Sequence, residues 1–405
     1  MGVDVLVLNT AVVDLRRPDF QFVDNLVMAD GLAKCESRQM PRFSSEDYQR
    51  WIEEGCATAG GFGNNAALMA ATGINIAAFT SLGQGNYPTS DGTLSLDAQG
   101  AFFYDKMLEC GVDMSRIQVN PRRTTGTTFI HAGGAGGRGG IAYFPGANHD
   151  MDFQVAKEVV QLLDPKIVYY MYSGLSDKGD ANGGQDLAEF LRWCGPERIT
   201  IVDCHTLTGN PSQVIASGKE VREYNILNPV LRESNIFFTS SDEAGMIGNT
   251  LKGLPSCRGV SDEYCGKFAA ALRAHYGPTE RGTLLFGVTV KDGAFFTYET
   301  PRDVKPVRKI SSNFMAGENI DLVGAGDAFR AGVLSYVSRH IDEWFAGSID
   351  FSKAVQMGNL FAAVFIKSPL DNRYCNIGTY DMMESIVNGN KRYDSFERLL
   401  RDIRG

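Results

Sequence analysis

From about residue 150 onward, short aliphatic runs alternate with longer segments whose apolar residues recur at helical spacing. No other feature restricts the fold as strongly. The runs fall at 167–172, 199–203, 236–239 and 284–290, and helices are predicted over 153–163, 185–194, 261–276, 326–339 and 351–366. A chain that returns by a helix after each strand lays its strands parallel, and a parallel sheet has to be covered on both faces. A near-continuous aliphatic run at 3–8 and a buried stretch at 74–82 add two more candidate strands, and a helix is predicted over 97–110. An α/β chain is therefore expected.

Other stretches depart from this alternation. Between Arg16 and Cys56 polar residues intersperse with short apolar pieces, and Ser44 with Asp47 has the spacing of a capping box ahead of a short helix. Residues 127–130 and 141–144 flank a glycine-rich turn, 133–140, and read as a hairpin with a flexible tip. Residues 286–294 read as strand, tight turn, strand, and 380–403 reads as one closing amphipathic helix.

Composition removes several function classes. A net charge of −9 argues against nucleic acid or an anionic membrane as partner. The eight cysteines form no C-x-x-C pair and the five histidines no H-x-x-x-H pair, so neither a zinc site nor a disulfide framework is expected. The first ten residues lack the basic flank and apolar core of a signal peptide, and no run reaches the length of a membrane span. A cytoplasmic location is expected.

Chemistry concentrates around Asp321-Leu322-Val323-Gly324-Ala325-Gly326-Asp327, which runs straight into an apolar helix. Small residues at a helix start leave N–H donors uncovered at the positive end of the helix dipole, where a phosphate binds. A carboxylate at that point can take a proton from an attacking hydroxyl. The plain alternative is a glycine turn with Asp327 as a first-turn charge. Asp14 follows the first strand, where α/β sheets bind ligands, and Gly60-Gly61-Phe62-Gly63-Asn64-Asn65 opens another helix in a way that suits a polyhydroxylated ligand.

In order, Asp14, Gly60-Gly61-x-Gly63-x-Asn65, Gly146-Ala147-Asn148, Asp203, Glu243 and Gly324-Ala325-Gly326-Asp327 resemble the ribokinase-like (PfkB-type) family of carbohydrate and nucleoside kinases. The resemblance spans nearly the whole chain. It implies a three-layer α/β/α fold with a central, mainly parallel sheet and a small β lid. The core would comprise 1–11, 59–117 and 149–405, and the lid insertions 12–58 and 118–148. The long first insertion implies an extra helix or a homodimer contact through the lid. By the same resemblance, Asp327 is the catalytic base and Gly324, Ala325 and Gly326 form the anion hole. Asp14, Gly61 and Asn65 bind substrate hydroxyls. Asn359 and Gly293 lie with the nucleotide, and Glu243 helps place Mg²⁺ through water. The implied activity is transfer of the γ-phosphate of ATP to a sugar or sugar-like alcohol. ATP and Mg²⁺ are then required, and a monovalent cation is an option.

The motif is not a full copy. Leu322 stands where the family usually has Thr, Ser240 where Asn is usual, and Phe62 where ribokinases often have Lys. Phe62 could stack a base, which leaves a nucleoside kinase open as the alternative. Leu322 and Ser240 leave open a non-catalytic binding protein. A nicotinamide-dependent oxidoreductase is disfavoured, because no Gly-x-Gly-x-x-Gly follows the first strand.

Overall fold

The computed structural model describes residues 2–132, 139–277, 282–370 and 373–405. Most of the glycine-rich tip expected at 133–140 lies outside them. An eight-stranded sheet forms the middle layer, in the order 303–311, 293–300, 284–290, 236–240, 199–204, 167–173, 5–8, 76–79. The strands from Leu284–Val290 to Ile76–Phe79 pair in parallel, while Gly293–Thr300 and Asp303–Ser311 close one edge antiparallel. The aliphatic runs read from the sequence are thus the inner strands, and they lack a polar face because each face is covered.

Alternation decides which cover each residue meets. Val5, Val7, Ile76 and Ala78 pack with the helices Phe62–Ala71, Ala325–Arg339 and Phe351–Lys367. Leu6, Leu8, Ala77 and Phe79 face the other way, toward Phe153–Leu163 and Gln185–Cys194. Phe237, Phe286 and Val288 extend that second face toward Ser241–Thr250 and Asp262–Tyr276.

Strand Val5–Leu8 lies between Ile76–Phe79 and Ile167–Ser173, so the connections leave it in opposite directions. The crevice beyond its carboxyl end is where a sheet of this kind holds ligands. Here the chain turns out of the main sheet through Asn9 (φ 63°) and Thr10 (φ 31°). It continues as Ala11–Arg17 in a five-stranded lid sheet, ordered 32–34, 141–144, 126–131, 11–17, 57–61. The hairpin read from sequence is present, with Gly126–His131 antiparallel to Ile141–Phe144. So is the helix Ser45–Glu53, started by the reciprocal Ser44–Asp47 capping box.

Three expectations need correction. The run 74–82 splits into Ile76–Phe79 of the main sheet and Ser81–Pro88 of a separate three-stranded sheet. Gln118–Asn120 joins that same small sheet, so it is not part of the lid sheet. The tail forms two helices, Tyr380–Gly389 and Phe396–Arg404, because Gly389 and Asn390 (φ 45°) end the first and Ser395 caps the second. Among the described residues, no helix is long and apolar enough to cross a membrane.

Candidate active site

A small cavity of about 50 Å³ lies between the lid sheet and the carboxyl ends of the inner strands. Asp14, Gly61, Asn64, Tyr172, Gly324 and Asp327 are among the residues that line it. The sequence elements that carry them are as much as 313 positions apart, and strand register does much of the assembly. Ala11–Arg17 runs parallel to Gly126–His131 with Asp14 opposite Thr128, and the Thr128 hydroxyl donates to Asp14 Oδ1 at 2.5 Å. The Arg16 guanidinium lies 3.6 Å from Asp14 Oδ2. Burial nevertheless raises the Asp14 pKa, with Arg16 opposing it.

Gly61 has φ 57°, and a Cβ there would come within 2.0 Å of the Thr10 carbonyl oxygen. The chain turn after the first strand and the start of the helix Phe62–Ala71 can approach this closely only through glycine. Gly324 (φ 89°) precedes the helix Ala325–Arg339, and no side chain caps that helix. A Cβ at Gly324 would meet Phe365 at 2.9 Å and Asn64 Nδ2 at 3.1 Å. Gly324 thus brings the helix start to the cavity with no side-chain cap, although Ala325 N donates back to the Leu322 carbonyl oxygen at 3.1 Å; an uncapped helix start of this kind favours an anion.

Asp327 sits in this first turn, its side chain 13% exposed. Tyr172 Oη donates to its Oδ1 at 2.8 Å, and Asn64 Nδ2 to its Oδ2 at 3.4 Å. The Asn64 amide is oriented in turn by the Tyr374 hydroxyl, which donates to Asn64 Oδ1 at 3.0 Å. Burial pushes the Asp327 pKa up to about 6, against the opposing charge of Arg330 and the two hydrogen bonds. A carboxylate tuned this way is ionised at neutral pH and still basic enough to accept a proton in a transition state.

Some predicted site residues lie elsewhere. Asn65 is fully buried behind the cavity wall, donating to Tyr169 Oη at 2.8 Å. Successive helical residues point in different directions, so only Asn64 faces Asp327. Phe62 is also buried, edge-on to Phe103 at 5.1 Å, and offers no face to a base. Asn359 donates to Gln356 Oε1 at 2.7 Å within its own helix. Gly293 begins the strand next to that antiparallel edge, paired on both sides, and a Cβ there would meet the Ile310 carbonyl oxygen at 2.0 Å, a packing reason for glycine that needs no ligand. Ala325 and Gly326 follow Gly324 into the helix start, and neither lines the cavity.

Glu243 closes a capping box with Ser240, accepting from Ser240 N at 2.9 Å, Thr239 Oγ1 at 3.0 Å and Thr206 Oγ1 at 3.4 Å. Among the described residues no group of three His, Cys, Asp or Glu side chains could hold a metal ion. Glu243 is thus a single carboxylate already accepting three hydrogen bonds, which by itself could meet a metal ion only through water. A monovalent cation fits less well. Asp321, the acidic residue of the preceding loop, is held by Arg373 Nη2 at 2.7 Å and by Arg16 Nε at 3.4 Å. Two guanidinium groups already supply the positive charge there.

Residues 52–198 match the model of the pfkB family carbohydrate kinases. No curated protein matches the sequence. A probable sugar kinase from Rhizobium etli CFN 42 has TM-score 0.60 and 18% identity, covering 91% of this chain and 94% of that one. The adenosine kinase of Schistosoma mansoni in complex with 2-fluoroadenosine has TM-score 0.63 and 15% identity, with coverage of 91% and 96%. A PfkB protein from Polaromonas sp. JS666 has TM-score 0.56 and 15% identity, with coverage of 96% and 100%. At these identities the likeness is one of fold, and that fold is the ribokinase-like one.

Proposed function

We propose, for a chain of the ribokinase-like (PfkB-type) family, that it transfers the γ-phosphate of ATP to a hydroxyl of a sugar or sugar-like acceptor. One observation carries this reading: Asp327 and the uncapped helix start open into the same cavity as Asp14 and Gly61. An acceptor held by Asp14 would present a hydroxyl to Asp327, with the anion-binding helix start immediately beside it. Phosphoryl transfer asks for this combination of positioning and charge neutralisation, with little covalent help.

In this scheme Asp14 accepts hydrogen bonds from acceptor hydroxyls. Tyr172 and Asn64 hold the Asp327 carboxylate in one orientation. Asp327 takes the proton of the attacking hydroxyl, and the backbone N–H groups of 324–326 receive the charge that develops on the transferring group. Mg²⁺, bound with the nucleotide phosphates, would neutralise part of that charge, with Glu243 contacting it through water. The lid keeps bulk water from the base, so that hydrolysis does not compete.

A nucleoside acceptor is the second reading. Leu32 and Leu175 line both the small cavity and a larger groove of about 1040 Å³ on its outer side, which gives a base room beyond the reacting hydroxyl. That groove contains none of the catalytic groups, so its size says nothing about where the chemistry occurs. Incubation with ATP-Mg and separate panels of sugars and nucleosides, followed by ADP release, distinguishes the acceptors. ADP release that no acceptor stimulates would contradict both readings.

A further inference from the structure

The helix that carries Asp327 also carries a buried cation with no part in the scheme above. Arg330 lies one turn further along Ala325–Arg339 and is buried. Its Nε and Nη2 donate to the Phe238 carbonyl oxygen at 3.2 and 2.9 Å, and Nη2 also lies 2.7 Å from Asp203 Oδ1. Asp203 is the penultimate residue of the strand Ile199–Cys204 and accepts a hydrogen bond from Tyr169 Oη at 3.1 Å. The guanidinium is thus fixed at two of its nitrogens, and the third turns toward the helix start. Arg330 Nη1 is 3.9 Å from Asp327 Oδ1, and a Cβ at Gly326 would lie 2.9 Å from Nη1. A buried ion pair seldom stabilises a fold more than apolar packing would, so stability alone is a weak reason for this one. What the pair adds is a charge at a defined place.

We propose that Arg330 is a positioning residue for phosphoryl transfer. Anchored by Asp203 and the Phe238 carbonyl, it orients Asp327 and sets a fixed positive charge behind the 324–326 backbone. The inference rests on the reading of Asp327 as the base. The groups that bear on Asp327 are Tyr172 from the inner sheet, Asn64 from Phe62–Ala71, Asp14 from the lid sheet and Arg330 from its own helix. Those that bear on Arg330 are Asp203, Tyr169, Glu243 and Asp327. Burial raises the pKa of Asp327, and of the influences opposing that rise Arg330 is the largest. An arginine stays protonated throughout the working range, so its charge is constant while the base titrates.

The test compares Arg330→Met, Arg330→Gln and Arg330→Lys with wild type. The readouts are the pH dependence of kcat and the carboxyl-carbon NMR titration of Asp327, whose signal is assigned by its loss in Asp327→Asn. Losing the charge in Met or Gln moves the acid-side midpoint up by about one pH unit in both readouts, and Lys restores it to within about half a unit. The Gln variant retains a polar side chain for Asp203 and Phe238, and it serves if Met does not fold. A wild-type midpoint in the neutral variants overturns the proposal, as does a shift in Lys as large as in Met. If wild type turns over no acceptor at all, it is the kinase reading that fails, and the NMR titration still tests the influence of Arg330 on Asp327.

Discussion

Asp327 gathers most of the residue-scale chemistry. A raised carboxyl pKa means that Asp327 is protonated below about pH 6 and ionised above it, so with Asp327 as the proposed base activity should rise with pH through that value. The acid limb of kcat/KM, which reports the free enzyme, is expected near pH 6; a limb near pH 4 would show that Asp327 is not the titrating group. Tyr172 donates to the ionised carboxylate and so favours it. In Tyr172→Phe the limb should move to higher pH, while kcat/KM well above it changes little. Equal loss at every pH would mean that the hydroxyl acts on something other than the ionisation of Asp327. The sequence exposed Asp327, Asp14 and the glycines, because small residues before a helix and a carboxylate after a strand leave local signals. It did not separate Asn64 from Asn65. Both stand in the same helix start, and which amide faces Asp327 depends on how that helix rotates against Ala325–Arg339. Arg330 was equally hidden, since its partner Asp203 lies on a strand 127 positions earlier.

At the scale of elements, the lid has its own aromatic interior. Trp51, 4% exposed on the capped helix Ser45–Glu53, packs edge-on against Phe43 at 4.8 Å and Phe20 at 5.1 Å. Phe20 in turn meets Phe129 of the lid sheet at 5.2 Å. Trp51→Ala should cost about 3–5 kcal/mol, felt mainly in the lid. Hydrogen exchange would register it as faster exchange in 44–56 and 126–131, with the inner strand Ile167–Ser173 unchanged; acceleration throughout would mean that the lid and core unfold as one unit. The helix and hairpin of this lid were readable because a capping box and two alternating strands are local patterns. The break of 74–82 into two sheets was not. Ile76–Phe79 and the start of Ser81–Pro88 follow each other with only Thr80 between, no turn residue marks the break, and their different partners divide them there.

Across the whole molecule, the lid is fastened to the core on one side. Met28 N donates to the Gly209 carbonyl at 2.8 Å and Leu32 N to the Thr208 carbonyl at 2.9 Å, while Lys34 pairs with Asp177 at 2.8 Å. Gly31 lies inside this clasp, where a Cβ would meet the Gly209 carbonyl oxygen at 2.5 Å. Gly31→Val should therefore push the lid strap off the core and admit water to the base. ADP release without acceptor is expected to rise several-fold, on the order of the gain that lost water exclusion brings. An unchanged rate would show that the clasp does not control solvent access. None of these pairings was visible in the sequence, because strand and helix periodicity carries no information about partners 143 to 181 residues apart. The order of layers was visible, since only a sheet covered on both faces accommodates so many aliphatic strands. The central claim is that Asp327 deprotonates an acceptor hydroxyl beside an anion-binding helix start. The most direct measurement follows label from γ-phosphate-labelled ATP into the acceptor for wild type and Asp327→Asn. Transfer by wild type and a loss of about 10²–10⁴-fold in the variant are predicted, and transfer by Asp327→Asn at the wild-type rate would contradict the account.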